Sequence, residues 1–549
     1  MGEISFEGHD RRVDKVMRFE NVVKEKIKSV EKRYYVTIVS SMIFGLLAHL
    51  YQFTNKIFNY DELGQTPAGF GAGVSLGRWG LQIVGDFVGH FFRNYSIPMI
   101  NGMITLLFVV ISACVLVDVF DIQDKVCCFL IGGILAVYPA LVATYFFMFT
   151  APYYGLAFAL SCLAGKMIVR EKPICIASGI LILTFATAIY QSYCAVALCI
   201  LLIDIVIKFY VGNTDWKELL KSGIVYCTSF AISIILYVIG TKISVAVTGI
   251  QLDGYRGLDN ISISGIGDII RSIYYSYRDY ILLMTKKDIY QINPITLASI
   301  IFIVINCVNL FFFVERVGKN EALMSKMGYV ISTALMPIAI FFPEVLMQGQ
   351  GGIYSIMTYS TAFVFVFPIV IYDKYARANY EECVKLIDDS GAMMGKRDYV
   401  GAILGFSAFI CILIYVWFAN GNYQAMQYTN YHDLAYFETL ATQVKSLDGY
   451  TSDMPIAFTG EFFNDPTFNA GSLMGEYFDI GGKWDTNVNY FNNIYLWTSY
   501  LGYTPEIIEF RDSNYLFDNP EIVNMPQYPN DGSIKIIDGM VVIRGSLGK

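Results

Sequence analysis

The chain has 549 residues, 55% of them hydrophobic, 15% aromatic and 16% charged, with a formal net charge of −8; mean hydropathy is +0.48 and the pI is near 5.2. That balance excludes an ordinary soluble globular protein, and the acidic excess excludes a nucleic-acid partner. Several apolar segments are about 20 residues long, enough to cross a hydrocarbon core of roughly 30 Å, so the chain reads as a polytopic α-helical membrane protein.

Residues 1–34 open "MGEISFEGHDRRVDKVMRFE". They are too long and too mixed in sign for a cleaved signal peptide, and predict a cytoplasmic N-terminal segment. About eleven spans follow, at 35–53, 96–117, 127–144, 151–169, 174–189, 194–210, 222–245, 296–314, 328–346, 353–372 and 399–418. Lys and Arg crowd the N-terminal segment and loops such as "VREKP" and "ERVGKNEALMSK"; the opposing connections near 145–151, 190–193 and 343–352 carry none. This bias puts the N-terminus in the cytoplasm. Residues 35–418 then form the membrane domain, with outer loops 54–95 and 246–295, and residues 419–549 lie outside.

The first outer loop holds "NYDELGQTPAGFGAGVSLGRWG" (59–80). A carboxylate at the membrane edge, Asp61 or Glu62, can act as general base toward an attacking hydroxyl, or the pair simply ends a helix in water. Adjacent carboxylates point in different directions, so chemistry would fall to one of them. Arg78 can grip a lipid phosphate bidentately, or Arg78 and Trp79 together anchor the chain at headgroup level. Residues 76–93 predict an interfacial amphipathic helix. Leu81, Val84, Phe87, Val88, Phe91 and Phe92 face the membrane, and Arg78, Gln82, Asp86 and Arg93 lie opposite.

Polar groups at the later outer ends are few. Tyr190-Gln191 and Glu344 either cap helices or hydrogen-bond a sugar. The loop 246–288 carries Arg256, Arg271, Arg278, Lys286 and Lys287 against the charge bias. It binds either an anionic phosphate or only water and headgroups. Within it, 263–288 predicts a second interfacial helix with Arg271, Tyr274, Tyr275 and Arg278 on one stripe.

Beyond residue 418 the composition turns polar. "YQAMQYTNYHDLAYFETLATQVKSL" predicts a helix, "MPIAFTG" a buried strand, and "SIKIIDGMVVIRG" a hairpin turning at Asp538-Gly539. Together they predict a small extracytoplasmic α/β domain. All 11 cysteines lie in or beside apolar segments and none follows Cys411. With no CxxC spacing and four scattered histidines, no metal site is predicted. Walker A and GxSxG motifs are absent from the sequence. The one acid well inside an apolar stretch is Asp204.

The stretches "YDELG" and "GRW" in the first outer loop, "YQSY" at 190–193, "YRGLDNI" at 255–261 and "NGNYQAMQYTN" at 420–430 together resemble the Gtr-type, serotype-converting O-antigen glucosyltransferases. These belong to the GT-C superfamily of membrane glycosyltransferases. The resemblance spans nearly the whole chain and implies a GT-C-like membrane domain. It also implies inverting transfer of a hexose, glucose by family default, at the outer face of the bacterial plasma membrane. The donor would be undecaprenyl-phosphate sugar. The acceptor would be a surface polysaccharide such as O antigen, teichoic acid or another wall glycan.

The family commonly has two acidic residues in the first outer loop; here the second is Glu62. The resemblance implies Asp61 as base with Glu62 as neighbour and substitute. Arg78 and Arg256, then Arg271 and Arg278, are implied phosphate contacts. Trp79 and Tyr255 are candidates to stack on sugar rings, with Tyr190, Gln191 and Glu344 as further sugar or acceptor contacts. No cofactor beyond the lipid-borne donor is implied; a protein cation can support the phosphate, although some GT-C members use a divalent metal. A polyprenyl-phosphate glucosyltransferase and a flippase would act upstream, and membrane lipid surrounds the enzyme. The rival reading is a lipid-linked polysaccharide flippase or polymerase. A flippase should carry inverted repeats, and the sequence has none visible.

Overall fold

In the computed structural model the described residues are 30–65, 68–211, 215–253, 266–282, 296–318, 323–346, 354–384, 396–459, 495–508, 516 and 518–545. Among them, eight helices are long and apolar enough to cross a membrane: Lys32–Thr54, Pro98–Val119, Lys125–Phe146, Ala151–Val169, Gln191–Val211, Trp216–Thr248, Leu323–Ile340 and Tyr399–Lys445. Eleven spans are expected from hydropathy. The other three positions hold the shorter apolar helix Pro173–Ile189 and the helices Thr296–Gly318 and Phe363–Val384.

In chain order the helices that matter here are α1 (Lys32–Thr54), α2 (Tyr60–Leu63), α3 (Trp79–Phe92), α4 (Pro98–Val119), α5 (Lys125–Val137), α6 (Pro139–Phe146), α7 (Ala151–Val169), α8 (Pro173–Ile189), α9 (Cys194–Val211), α10 (Trp216–Thr248), α11 (Ile266–Leu282) and α12 (Lys396–Lys445).

Proline explains where expected spans break. The span 127–144 is interrupted at Tyr138, whose extended ψ of 137° is what Pro139 imposes on the residue before it. The span 328–346 comes as Leu323–Ala334, Met336–Ile340 and Phe342–Leu346, with Pro337 and Pro343 in the first turns of the two shorter pieces. The described part of 353–372, from residue 354 on, begins as two 3-10 turns, Ser355–Met357 and Tyr359–Ala362, before Phe363 starts the helix.

One large apolar core runs through the bundle, including Ala48, Leu106, Ile134, Phe158, Ile200, Val366 and Phe418. Charge gathers at the end opposite the cavity described below. There Lys166 meets Asp118 at 2.5 Å, Arg33 meets Asp121 at 3.1 Å, and Arg377 meets Asp373 at 3.0 Å. Asp204 belongs to this end too: Lys208 lies 2.9 Å from it and 2.8 Å from Glu171, and the Tyr226 hydroxyl donates to it at 2.8 Å.

Helices form within both stretches predicted as interfacial, α3 within 76–93 and α11 over the described part of 263–288. On α3, Ile83, Phe87, Phe91 and Phe92 are exposed, an apolar strip suited to lipid. Leu81 instead turns inward and is buried in the core, so the helix is apolar toward protein and lipid alike. Gln82 donates to Asp86 on its polar side at 3.0 Å.

The last span does not stop at residue 418. It continues unbroken as the 50-residue α12, about 75 Å at 1.5 Å per residue. Its far end packs on a four-stranded sheet of order β2-β1-β4-β3, built from β1 (Ile456–Thr459), β2 (Ile507–Ile508), β3 (Ile534–Ile537) and β4 (Met540–Arg544). β1 runs parallel to β2 and β4, while β3 and β4 form an antiparallel hairpin. Ile537 pairs with Met540 across the predicted turn, and Asp538 and Gly539 both have positive φ, as a type I′ turn requires. Alternate residues of β1 enter different cores, Ile456 and Phe458 on one face and Ala457 on the other. Burial on both faces is why "MPIAFTG" reads as a continuous apolar run.

Candidate active site

The acidic pair sits on α2, a single turn. Asn59 caps it by accepting the Asp61 N–H at 2.9 Å. Neighbours on a helix are separated by about 100°, so the two carboxylates part. Asp61 lines a cavity of about 600 Å³. Glu62 is 1% exposed and forms an ion pair with Lys56, which also donates to the Ser96 hydroxyl at 3.1 Å. Burial and its ion pair with Lys56 turn Glu62 away from the cavity that Asp61 lines. Glu62→Gln leaves a buried pair broken. It should lower stability by about 1–3 kcal/mol, less than for a fully buried pair because Lys56 reaches water, with turnover of the folded enzyme unchanged. Thermal unfolding alongside a transfer assay checks both halves.

The segment "LGRW" delivers Arg78 to the same cavity. Gly77 has φ of +69° and an added Cβ would meet the Tyr237 hydroxyl at 2.8 Å, so only glycine fits this turn. Gln191 fixes the turn from the other side. Its side-chain amide donates to the Leu76 carbonyl at 2.8 Å and to the Tyr237 hydroxyl at 3.0 Å. The Arg78 guanidinium then donates to the Tyr154 hydroxyl at 3.2 Å and lies over the Tyr190 ring, 4.7 Å from its centroid. Tyr190 in turn packs on Tyr154, the rings tilted by 30° with centroids 4.3 Å apart. Cation–π contact and hydrogen bond hold the charge in one place.

Asp61 and Arg78 act on each other electrostatically. The surrounding protein desolvates the Asp61 carboxyl and raises it to about 6, against the pull of the Arg78 charge, which lowers it. Its side chain is nonetheless exposed toward the cavity, so a substrate can reach it. A carboxylate titrating near neutrality, beside a fixed cation, in a hollow of this size can accept a proton while the cation supports developing negative charge.

The other predicted residues divide. Tyr190 and Gln191 line the cavity, Gln191 with its amide hydrogens committed to the turn. Trp79 does not line it. Its indole N–H donates to the Tyr237 carbonyl at 3.3 Å, and its ring lies so close to Gly240 that a Cβ there would sit 2.7 Å away. Trp79 therefore braces α3 against α10. Glu344 is buried behind Pro343, and Pro343 is the one that lines the cavity. Arg271 is exposed on α11, and Arg278 is engaged by Asp279 at 2.7 and 2.8 Å and lies 4.3 Å over Tyr275. Neither lines the cavity. Arg256 and Tyr255, with Lys286 and Lys287, lie outside the described residues.

Sequence reasoning missed Tyr154, Tyr237 and Asp253, all on the cavity wall. Tyr154, in the first turn of α7, and Tyr237, inside α10, are helical aromatics with no local signal to separate them from core. Asp253 had one: an acid two residues before "YRGLDNI" in a loop otherwise noted for cations. Its N–H donates to the Ser75 carbonyl at 2.8 Å, tying the segment after α10 to the one before α3. Among the described residues, no three or more His, Cys, Asp or Glu side chains gather closely enough to hold a metal ion.

A family model described as Glucosyl transferase GtrII matches residues 50–368, more than half of the chain, from the end of α1 past the last cavity-lining residue. Two solved structures are similar in shape. One is the crystal structure of the Archaeoglobus fulgidus oligosaccharyltransferase in the apo form, with TM-score 0.41, 10% identity, and coverage of 79% of this chain and 63% of that one. The other is the archaeal oligosaccharyltransferase AglB from Archaeoglobus fulgidus in complex with an inhibitory peptide and a dolichol-phosphate, with TM-score 0.38, 10% identity, and coverage of 78% and 62%. The chain thus spans less than two thirds of the length of either. No curated protein matches the sequence.

Proposed function

Because this chain belongs to the GtrII family of glucosyl transferases, we propose that it moves a hexose, glucose by the family's name, from a polyprenyl phosphate to a surface glycan. On this reading it is a GT-C-type enzyme of the bacterial plasma membrane, its N-terminus cytoplasmic and its cavity and terminal α/β unit outside. The donor is undecaprenyl-phosphate glucose, and the acceptor is O antigen, teichoic acid or another wall polysaccharide. The observation that carries the reading is one cavity wall holding both Asp61 and Arg78.

Each connection between spans that the charge bias assigns to the outside contributes to that wall: the first outer loop, the 145–151 and 190–193 corners, Asp253 and Pro343. The residues expected at the cytoplasmic ends cluster at the other extremity. A lipid-borne donor fits this layout, since nucleotide sugars do not occur outside the cell.

The chemistry follows from the two side chains. Asp61 takes the proton of the acceptor hydroxyl, whose oxygen attacks the anomeric carbon from the face opposite the phosphate. The bond from that carbon to the phosphate oxygen breaks, and the polyprenyl phosphate leaves with the electron pair. Arg78 stabilises the negative charge growing on that oxygen. One displacement of this kind inverts the anomeric carbon. Protein reconstituted in liposomes with polyprenyl-phosphate [14C]glucose and a bacterial polysaccharide should transfer label with inverted configuration. Label retained on the lipid, or transfer only from a nucleotide sugar, refutes the proposal.

A further inference from the structure

The terminal α/β unit reaches into the candidate active site from behind. We propose that Asn430, on the extension of α12 beyond the bundle, is a positioning residue that sets where Asp61 stands. The inference rests on the reading of Asp61 as the base.

Asn430 is 2% exposed and lies 372 residues from the backbone it holds. Its side-chain oxygen accepts the Phe58 N–H at 2.8 Å, and its side-chain N–H donates to the Phe58 carbonyl at 3.0 Å. The amide thereby gives Phe58 the two bonds that a paired strand would supply. Phe58 is three residues before Asp61, and its ring lies in the core of the terminal unit, 4.5 Å from the Tyr500 ring. Leu63, two residues after Asp61, enters the same core beside Phe437, Ile456 and Trp497. The turn that carries the carboxylate is therefore clamped at both ends by one body, and Asn430 is the polar member of the clamp.

A buried backbone donor and acceptor need partners, so some group must satisfy Phe58. What a merely structural anchor would not explain is the location. The clamp holds the turn bearing Asp61 rather than the spans, while Asp61 faces away from it into the cavity. General-base transfer depends on placement to a fraction of an ångström.

Asn430→Ala in the full-length protein should lower kcat about 10–100-fold and leave the KM for polyprenyl-phosphate glucose unchanged. Asn422→Ala serves as control. That residue is fully buried on the same helix, and among the described residues its side-chain amide donates only within the helix, to the Phe418 carbonyl at 2.9 Å; kcat should be unchanged. Where Asn430→Ala yields no folded protein, Tyr500→Leu loosens the same clamp through Phe58 and should give the same split between kcat and KM. Unchanged kcat in folded Asn430→Ala, or in Tyr500→Leu when that variant stands in, overturns the inference. If Asp61→Asn is inactive at the same time, the base reading stands and only the positioning role falls. If Asp61→Asn is fully active, both fall.

Discussion

Asp61→Asn should lower transfer by about 10²–10⁴-fold, the usual contribution of a general base, while the protein still inserts and folds. The change is isosteric and removes only the ability to take a proton. In the parent, kcat/KM should rise through pH of about 6, where the carboxyl titrates, fall tenfold per unit below it, and level off above. The variant should lose that acidic limb along with its rate. Stability should move the other way. The folded-state value lies above the ordinary carboxyl value of 3.8, so the native state binds the extra proton between the two, and stability falls as pH climbs through that window. At pH 7 the neutral Asn is spared this effect, and the variant should melt at or above the parent's temperature. A rate profile and a melting curve at pH 5 and 7 test both; an acidic limb that survives in Asp61→Asn removes Asp61 from the mechanism. The contrast with Glu62→Gln, expected to be less stable but active, is the sharper check because the residues are adjacent.

Arg78→Ala should reduce kcat/KM for the lipid donor by about 10²–10³-fold, the cost of deleting one oriented donor from charge stabilisation. Arg78→Lys should recover only part of it, because an ammonium cannot reproduce a planar guanidinium stacked on Tyr190. A second signature comes from the same electrostatics. Arg78 pulls the Asp61 carboxyl down against the upward push of desolvation. Without it the carboxyl titrates higher, and the acidic limb of the remaining activity should shift to higher pH. A limb that stays in place would mean that the two charges do not share a site.

Local physics made much of this architecture legible. Apolar length marked the bundle, and glycine and aspartate chemistry marked the 538–539 turn. A short, mostly apolar run marked β1, and charge bias separated cavity-lining corners from ion-paired ones. The same local signals stop short where the answer depends on a distant partner. Hydropathy could not count passes where Pro139, Pro337 and Pro343 fragment helices, nor foresee that α12 continues through residue 418.

The sequence alone determined that this is a many-spanning helical protein with an acidic turn, a "GRW" motif at one membrane face and a polar terminal unit, because hydrophobic length and turn propensity are properties of neighbours in the chain. Only the tertiary structure decided that Asp61 faces the cavity while Glu62 pairs with Lys56, that Trp79 braces α10, and that Arg278 is engaged by Asp279. It alone placed Asn430 against Phe58, 372 residues away. Which side chain meets substrate depends on the direction each one points and on what desolvates it, and both are set by elements far apart in the chain.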